Sequence, residues 1–559
     1  MSLLGSSSGS PSSFHTAPRS PEPMSIEDIW PGPRQRPPEM AKYRSATQLP
    51  RELRVQCGIY LNERLYPAGL ALLTNLLTAG GSSPESTLPS FVPTPLQIEF
   101  ISTLTVHPFN TMKALPEDNQ EVASAALTLL RTLLSTVGPI NARLGEALDF
   151  TTKNRMTRRG RQAAYDSDDA SSDSEDERAT MNNALAGKES LRYRAVDFWH
   201  AVGWAFNCSI RYPDRWRYWK TWLGFMLDVL DADWEAREKL DIDAHDLRKA
   251  TSLEAEMQQE ALQDSILIRY LSEARGRSAG VRRIIKSVFA DGCHDALRSF
   301  PAVFDSEVRS SHKRKRTEDV VVHHKLNLHD DEDDMFTSSQ PAEEVDEDMT
   351  EEEMERLSFL GGIESIHLRQ RFLGLLSRLA VTLPASFDSG KEVYKIYVDH
   401  LKILPIQAFS LFVSPSMNYC FIPEVFCSLD QMLLLRMLPS NVPKSRSKND
   451  DISQELMERR YLPYCASTNS VEDNAKYSIL IESLMRLFVT AGCPLDHTPE
   501  LVDAVEKGIA AREAKLLTRP DRRRKVPVVN RENAAEALLL KASSARLRAL
   551  VAWAEEGKT

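Results

Sequence analysis

A chain of 559 residues, 42% hydrophobic and 26% charged, has enough apolar side chains for sizeable cores and the charge content of an ordinary soluble protein. Its seven cysteines (Cys57, Cys208, Cys293, Cys420, Cys427, Cys465, Cys493) are irregularly spaced with no Cys-x-x-Cys, which argues against a disulfide framework and fits a reducing compartment. The net charge of −10 is a local feature: Glu318 to Glu355 hold 16 acidic residues against one lysine, and without the −15 of that tract the chain carries about +5.

Residues 1–45 are rich in Ser and Pro and read as a disordered tail; Leu3-Leu4 is their only apolar run, too short for a signal-peptide core. Structure is expected from about Glu52, with two short amphipathic segments meeting at Pro67. A helix is predicted over Asn119 to Val137, on the stripe Val122, Ala126, Leu129, Leu130, Leu133 and Val137, and Gly138-Pro139 stops it. The polar stretch 151–183, first basic and then acidic, cannot bury a core and reads as a solvated insert.

Dense helical patterning returns over 190–300, including the stripe Val281, Ile284, Ile285, Val288 and Phe289. A basic and acidic linker, 309–354, reads as disordered. Beyond it, Leu368, Phe372, Leu375, Leu376 and Leu379 mark one helix, and Val393, Ile396, Tyr397 and Leu401 another. Ser470 is a candidate N-cap for a helix over Val471 to Val489, with Glu472 and Asp473 in its first turn and Gly492 beyond its end. An Ala- and Leu-rich helix covers about Glu532 to Glu555. Sustained strand alternation is absent, and no repeat recurs at a fixed period.

The fold expected is therefore all-α: an irregular helical repeat of the HEAT or armadillo kind, or a multi-helix bundle. It is arranged in two blocks, 46–308 and 355–559. No run of ~20 apolar residues suggests a membrane span, the best candidate, Trp222 to Leu230, being interrupted by Asp228.

Six of eight tryptophans fall within 36 residues: Trp199, Trp204, Trp216, Trp219, Trp222 and Trp234. Pro213 suits the first turn of a helix on which Trp216, Trp219, Leu223, Met226 and Leu230 share one face and Tyr218, Trp222, Phe225 and Val229 another. Such a helix is usually buried between neighbours. The cluster reads as the core of the first block or as an aromatic groove for a partner peptide. The third alternative, with Arg211, Arg215, Arg217 and Lys220 interleaved, is a stacking platform for single-stranded nucleic acid.

Two tetrabasic runs, Lys313-Arg314-Lys315-Arg316 and Arg522-Arg523-Arg524-Lys525, have the form an import receptor recognises, and also the charge to contact phosphate; the plain alternative is solubilising linker charge. Ser167, Ser171, Ser172 and Ser174 sit among acidic residues, the pattern favoured by acid-directed kinases. Ser10, Ser20, Ser83, Thr94, Ser414 and Thr498 each precede proline. Val320-Val321-Val322, beside Glu318 and Asp319, resembles a SUMO-interacting motif.

Catalytic signatures are missing: there is no phosphate loop, dinucleotide glycine fingerprint or His-Glu-x-x-His. Gly5 to Gly9 matches a nucleophile elbow only in form, since no strand or helix flanks it. Cys293-His294, Cys420 and Cys427 fit no zinc spacing, and His200, in the apolar run Ala195 to Ser209, reads as a satisfied core histidine. The expectation is a non-catalytic nuclear scaffold or adaptor without cofactor, metal, small-molecule substrate or membrane. It would bind protein partners, an import receptor among them, through helical surfaces in a chromatin-maintenance or RNA-processing assembly. The alternatives are a helical nucleic-acid-binding protein and a cytoplasmic adaptor.

Overall fold

A computed structural model describes residues 43–79, 88–112, 119–150, 181, 183–251, 259–273, 277–305, 307–308, 359–384, 390–418, 420–443, 452–517 and 532–556. Both tetrabasic runs, the four acidic-context serines, the Val320 triplet, most of the N-terminal tail and all of the acidic tract lie outside the described residues.

Among the described residues the chain is helical almost throughout, and helices of eight residues or more are numbered here in chain order. The first departure from an all-helical chain is a pair of three-residue parallel strands, β1 (Ala46–Gln48) and β2 (Ser90–Val92), in register Ala46↔Ser90 to Gln48↔Val92. Each is too short to carry a period-2 signal, and the pairing joins segments 44 residues apart. Arg44 braces it by donating to the Leu88 carbonyl through Nε at 2.9 Å and Nη2 at 2.7 Å.

Between the strands lie α1 (Arg51–Asn62) and α2 (Tyr66–Thr78), with Pro67 in the first turn of α2, where its missing N–H costs nothing. The next helix, α3 (Pro95–Val106), escaped the sequence reading. Every residue from Gln97 to Val106 is buried, so no polar face marks it. Its start was nonetheless written in the chain: Thr94 Oγ1 accepts from Gln97 N at 3.3 Å, Gln97 Oε1 accepts from Thr94 N at 3.1 Å, and Pro95 opens the helix. α4 (Asn119–Val137) ends at Gly138, whose φ of +79° is the left-handed conformation that suits glycine. A Cβ there would also strike the Tyr43 ring.

α5 (Phe198–Arg211) starts on Asp197, whose carboxylate accepts from His200 N. Pro213 opens α6 (Pro213–Thr251), 39 residues and about 58 Å long at 1.5 Å per residue. Helices α3, α4, α5, α7 (Ile266–Glu273) and, from across the linker, α9 (Ile363–Thr382) all pack on α6. α8 (Arg277–Val288) packs against α5, α9 and α10 (Gly390–Ile403).

The chain then runs through α11 (Ile406–Val413) and α12 (Pro423–Met437) to α13 (Val471–Thr490), which Ser470 caps by accepting from Asp473 N, with Gly492 at φ +74° just past its end. α14 (Pro499–Glu513) and α15 (Glu532–Glu556) pack on α13.

One hydrophobic core runs through helices on both sides of residues 309–358. At the junction Phe372 of α9 lies 6.1–6.2 Å from the rings of Phe198, Trp199 and Phe206 of α5, and Phe289 stacks on His400 of α10 with centroids 5.1 Å apart. α6 and α9 run parallel there, a geometry two consecutive helices on a short turn cannot adopt.

Candidate interaction surface

The residues singled out on α5 and α6 do not gather into an exposed platform. All six clustered tryptophans are buried, and three anchor their indole N–H groups inside: Trp199 on Tyr270 O (3.0 Å), Trp219 on Glu307 Oε1 (2.6 Å) and Trp222 on Ser102 Oγ (3.1 Å). Stacking on bases requires exposed ring faces, and these faces meet other core side chains. The interleaved cations are dispersed as well. Arg211 donates to Gly292 O, Arg217 lies over its neighbour Tyr218, and Lys220 pairs with Glu364 at 2.6 Å.

Arg215 goes inward, against the expectation of a surface cation. It and Glu307 are 1% and 0% exposed and form a buried ion pair, Arg215 Nε to Glu307 Oε1 at 2.9 Å. Nη1 donates to Thr111 Oγ1 at 2.9 Å and Nη2 to Val106 O at 2.7 Å, while Phe304 N donates to Glu307 Oε2 at 3.0 Å. Each guanidinium nitrogen and both carboxylate oxygens are engaged, the condition under which a buried pair is tolerated.

A second buried cation, Arg369 of α9, has no carboxylate partner among the described residues. Its Nη1 and Nη2 donate to the carbonyls of Val288 (2.5 Å) and Ala290 (2.8 Å), Nε donates to Ser365 Oγ (3.1 Å), and the guanidinium lies 4.1 Å from the Phe206 ring centre. Burial pushes its pKa down, with Asp291 opposing. Arg369 thereby ties α9 to the end of α8 and to α5. Sequence reasoning missed both Glu307 and Arg369, because the partners that hold them across the fold lie about 80–160 residues away.

Above this core the parallel helices α6 and α9 are joined by charges. Glu364, Arg371 and Arg378 stand seven residues apart on α9, and their partners on α6 are Lys220, then Asp228 and Asp231, then Glu238. Arg371 Nη2 reaches Asp228 Oδ1 at 2.9 Å and Asp231 Oδ2 at 2.6 Å. Burial raises the Asp231 carboxyl against the opposing pull of Arg371. Such half-exposed pairs add about 0–1 kcal/mol each, so they set register more than stability.

Open clefts lie on either side of this ridge. One, of about 520 Å³, is lined by Tyr43, Thr128, Arg131, Thr132 and Asp228 among others. The other, of about 440 Å³, is lined by the charged Asp231, Arg371 and Arg378 together with Leu375, Val381, Cys420, Ile422 and Val425. Val381 and Ile422 are 58% and 49% exposed. Gly374 lets α9 meet the 415–422 loop backbone to backbone, since a Cβ there would lie 2.5 Å from the Cys420 carbonyl.

Burial raises the Cys420 thiol, away from a reactive thiolate. Elsewhere, His200 is satisfied in the core: Nδ1 accepts from Val196 N at 3.1 Å and Nε2 lies 2.9 Å from Pro301 O, which together describe a neutral ring. Among the described residues no group of three His, Cys, Asp or Glu side chains is placed to hold a metal, and no helix is long and apolar enough to cross a membrane. No protein-family model matches the chain, and neither a curated protein nor a solved structure is significantly similar to it.

Proposed function

We propose that this chain is a nuclear scaffold or adaptor that binds protein partners through the ridge of α6 and α9 and its two flanking clefts. The observation that carries the reading is the exposed apolar pair Val381 and Ile422, in a cleft that Asp231, Arg371 and Arg378 also line. Exposed apolar side chains beside charged partners are the materials of a protein–protein interface. The clefts share one helix, so a partner element laid across the ridge reaches both. The nuclear address rests on Lys313 to Arg316 and Arg522 to Lys525.

Affinity capture of the full-length chain from its native cells tests this, with and without nuclease, beside a Val381→Glu/Ile422→Glu variant. Nuclear proteins that survive nuclease and are lost from the variant support the reading. Loss of partners on nuclease treatment points instead to nucleic acid. A partner set indifferent to the variant removes this surface from consideration. Unchanged localisation after alanine replacement of both tetrabasic runs refutes the nuclear address.

A further inference from the structure

The Ser/Thr-Pro pairs are not equivalent in the fold. Thr94 and Thr498 are helix caps, their hydroxyls accepting from Gln97 N and Leu501 N, and the following prolines open α3 and α14. Proline there is a helix-start device. Ser414 is different. It stands just past α11 in an extended conformation, φ −86° and ψ 116°, as the residue before a proline prefers, and its hydroxyl lies at the surface 2.9 Å from Ser416 Oγ. The turn after it is held in place: Met417 N and Asn418 N both donate to Ser414 O at 3.0 Å, and the buried Asn418 side chain donates to Phe412 O.

Ser414, Pro415 and Ser416 line a cleft of about 260 Å³ that is also lined by Glu482 and Arg486 of α13 and Arg546 of α15. Arg486 Nε (3.0 Å) and Arg546 Nε (2.6 Å) donate to the same oxygen, Glu482 Oε1, while Glu482 Oε2 is buried and accepts nothing. Two guanidiniums on one carboxylate leave this cluster one positive charge in excess. Both are little more than 40% exposed, and Glu482 engages neither of them through an Nη nitrogen.

We propose that Ser414 is a phosphorylation site whose phosphate is received by Arg486 and Arg546, tying the turn after α11 to α13 and α15. The transfer moves the γ-phosphoryl group of ATP to Ser414 Oγ in the active site of a proline-directed protein kinase; the hydroxyl proton departs and ADP is released. A phosphate brings about −1.5 to −2 charges and three strong acceptors, and guanidinium forks match its geometry. Two effects oppose docking: the carbonyl end of α11 repels an anion, and Glu482 is a like charge. The helix-end field is weaker than a charge-assisted hydrogen bond and decays within a turn, and two arginines stand beside one carboxylate, so the balance favours docking.

The test uses the full chain with Ser10, Ser20 and Ser83 replaced by alanine, incubated folded with ATP and a proline-directed kinase. Modification is mapped by mass spectrometry, and the phosphoserine is then titrated by ³¹P NMR. The expected result is modification at Ser414 and a second phosphate pKa roughly one unit below the usual ~6. In the Arg486→Gln/Arg546→Gln variant it returns to about 6, and in Arg486→Lys/Arg546→Lys, which keeps the charge, the depression persists in part. No modification of Ser414 in the folded chain overturns the proposal. So does a phosphate that titrates near 6 whether or not the arginines are present.

Discussion

Removing the Glu307 carboxylate tests the buried network most directly. In Glu307→Ala, Arg215 keeps Thr111 Oγ1 and Val106 O but loses the carboxylate it pairs with, and the Trp219 indole and the Phe304 amide lose their acceptor. Breaking a buried pair from one side costs about 3–5 kcal/mol, and each orphaned donor adds about 1–3 kcal/mol before relaxation. Some water enters the cavity, so we expect a net loss of about 4–6 kcal/mol, a large share of an ordinary domain's stability. The loss is read from urea unfolding followed by tryptophan emission, to which the buried cluster around Trp219 contributes. The double variant Arg215→Met/Glu307→Leu leaves no charge unpaired and is expected to lose less than Glu307→Ala alone. A loss under about 2 kcal/mol for Glu307→Ala, or a double variant less stable than the single one, refutes the reasoning.

Other consequences follow from burial. His107 is held to about 4, chiefly by burial, with Glu189 pulling upward and Arg215 downward. The unfolded chain therefore takes up a proton first, and stability falls as pH drops from about 6.5 to about 4, by up to about 3 kcal/mol. Asn at 107 retains an acceptor for Phe109 N, as His107 Nδ1 has now, and unfolding against pH should flatten in that window; an unchanged profile counts against His107. Asp430 is fully buried, neither carboxylate oxygen accepts a hydrogen bond, and the Ser483 hydroxyl donates instead to Val413 O at 2.8 Å. Burial raises its pKa, so the folded state holds a proton that the unfolded state releases above its ordinary range. Stability contributed by this group is present at acid pH and lost as pH rises. Asp430→Asn should be the more stable protein at pH 7.5 but not at pH 4, and equal stability at pH 7.5 would contradict this. Gly508 of α14 passes directly over the Leu462 carbonyl, where a Cβ would collide with backbone. Alanine there should lose about 1–3 kcal/mol, reversing the roughly 1 kcal/mol helix-propensity gain of an ordinary Gly→Ala change; a stabilised variant would refute the close approach.

Helix content and several helix ends were legible in the chain because the forces that set them are local. The stripe from Val122 to Val137 repeats at helical period and stops at Gly138, and Ser470 with Asp473 marks the start of α13 as plainly in sequence as in space. α3 was hidden for an equally physical reason. A helix buried all round has no polar face to betray its period, and only the Thr94–Gln97 capping box announced it. The candidate surface was less legible. The series Glu364, Arg371 and Arg378 at seven-residue spacing is visible in the chain, but their partners on α6 lie about 140 residues earlier.

By itself, then, the sequence determined that the chain is helical, where a few of its longer helices begin or end, and that α6 would be apolar on more than one face. Periodicity, caps and proline positions act over one or two turns. The tertiary structure alone decided that Arg215 and Arg369 are interior, that the six tryptophans are walled in, that β1 pairs with β2, and that α6 lies parallel to α9. Each of these depends on which distant segment supplies a carboxylate, a carbonyl or an apolar neighbour. A single chain read in order carries no signal of contacts that fold together 44 to 140 residues apart.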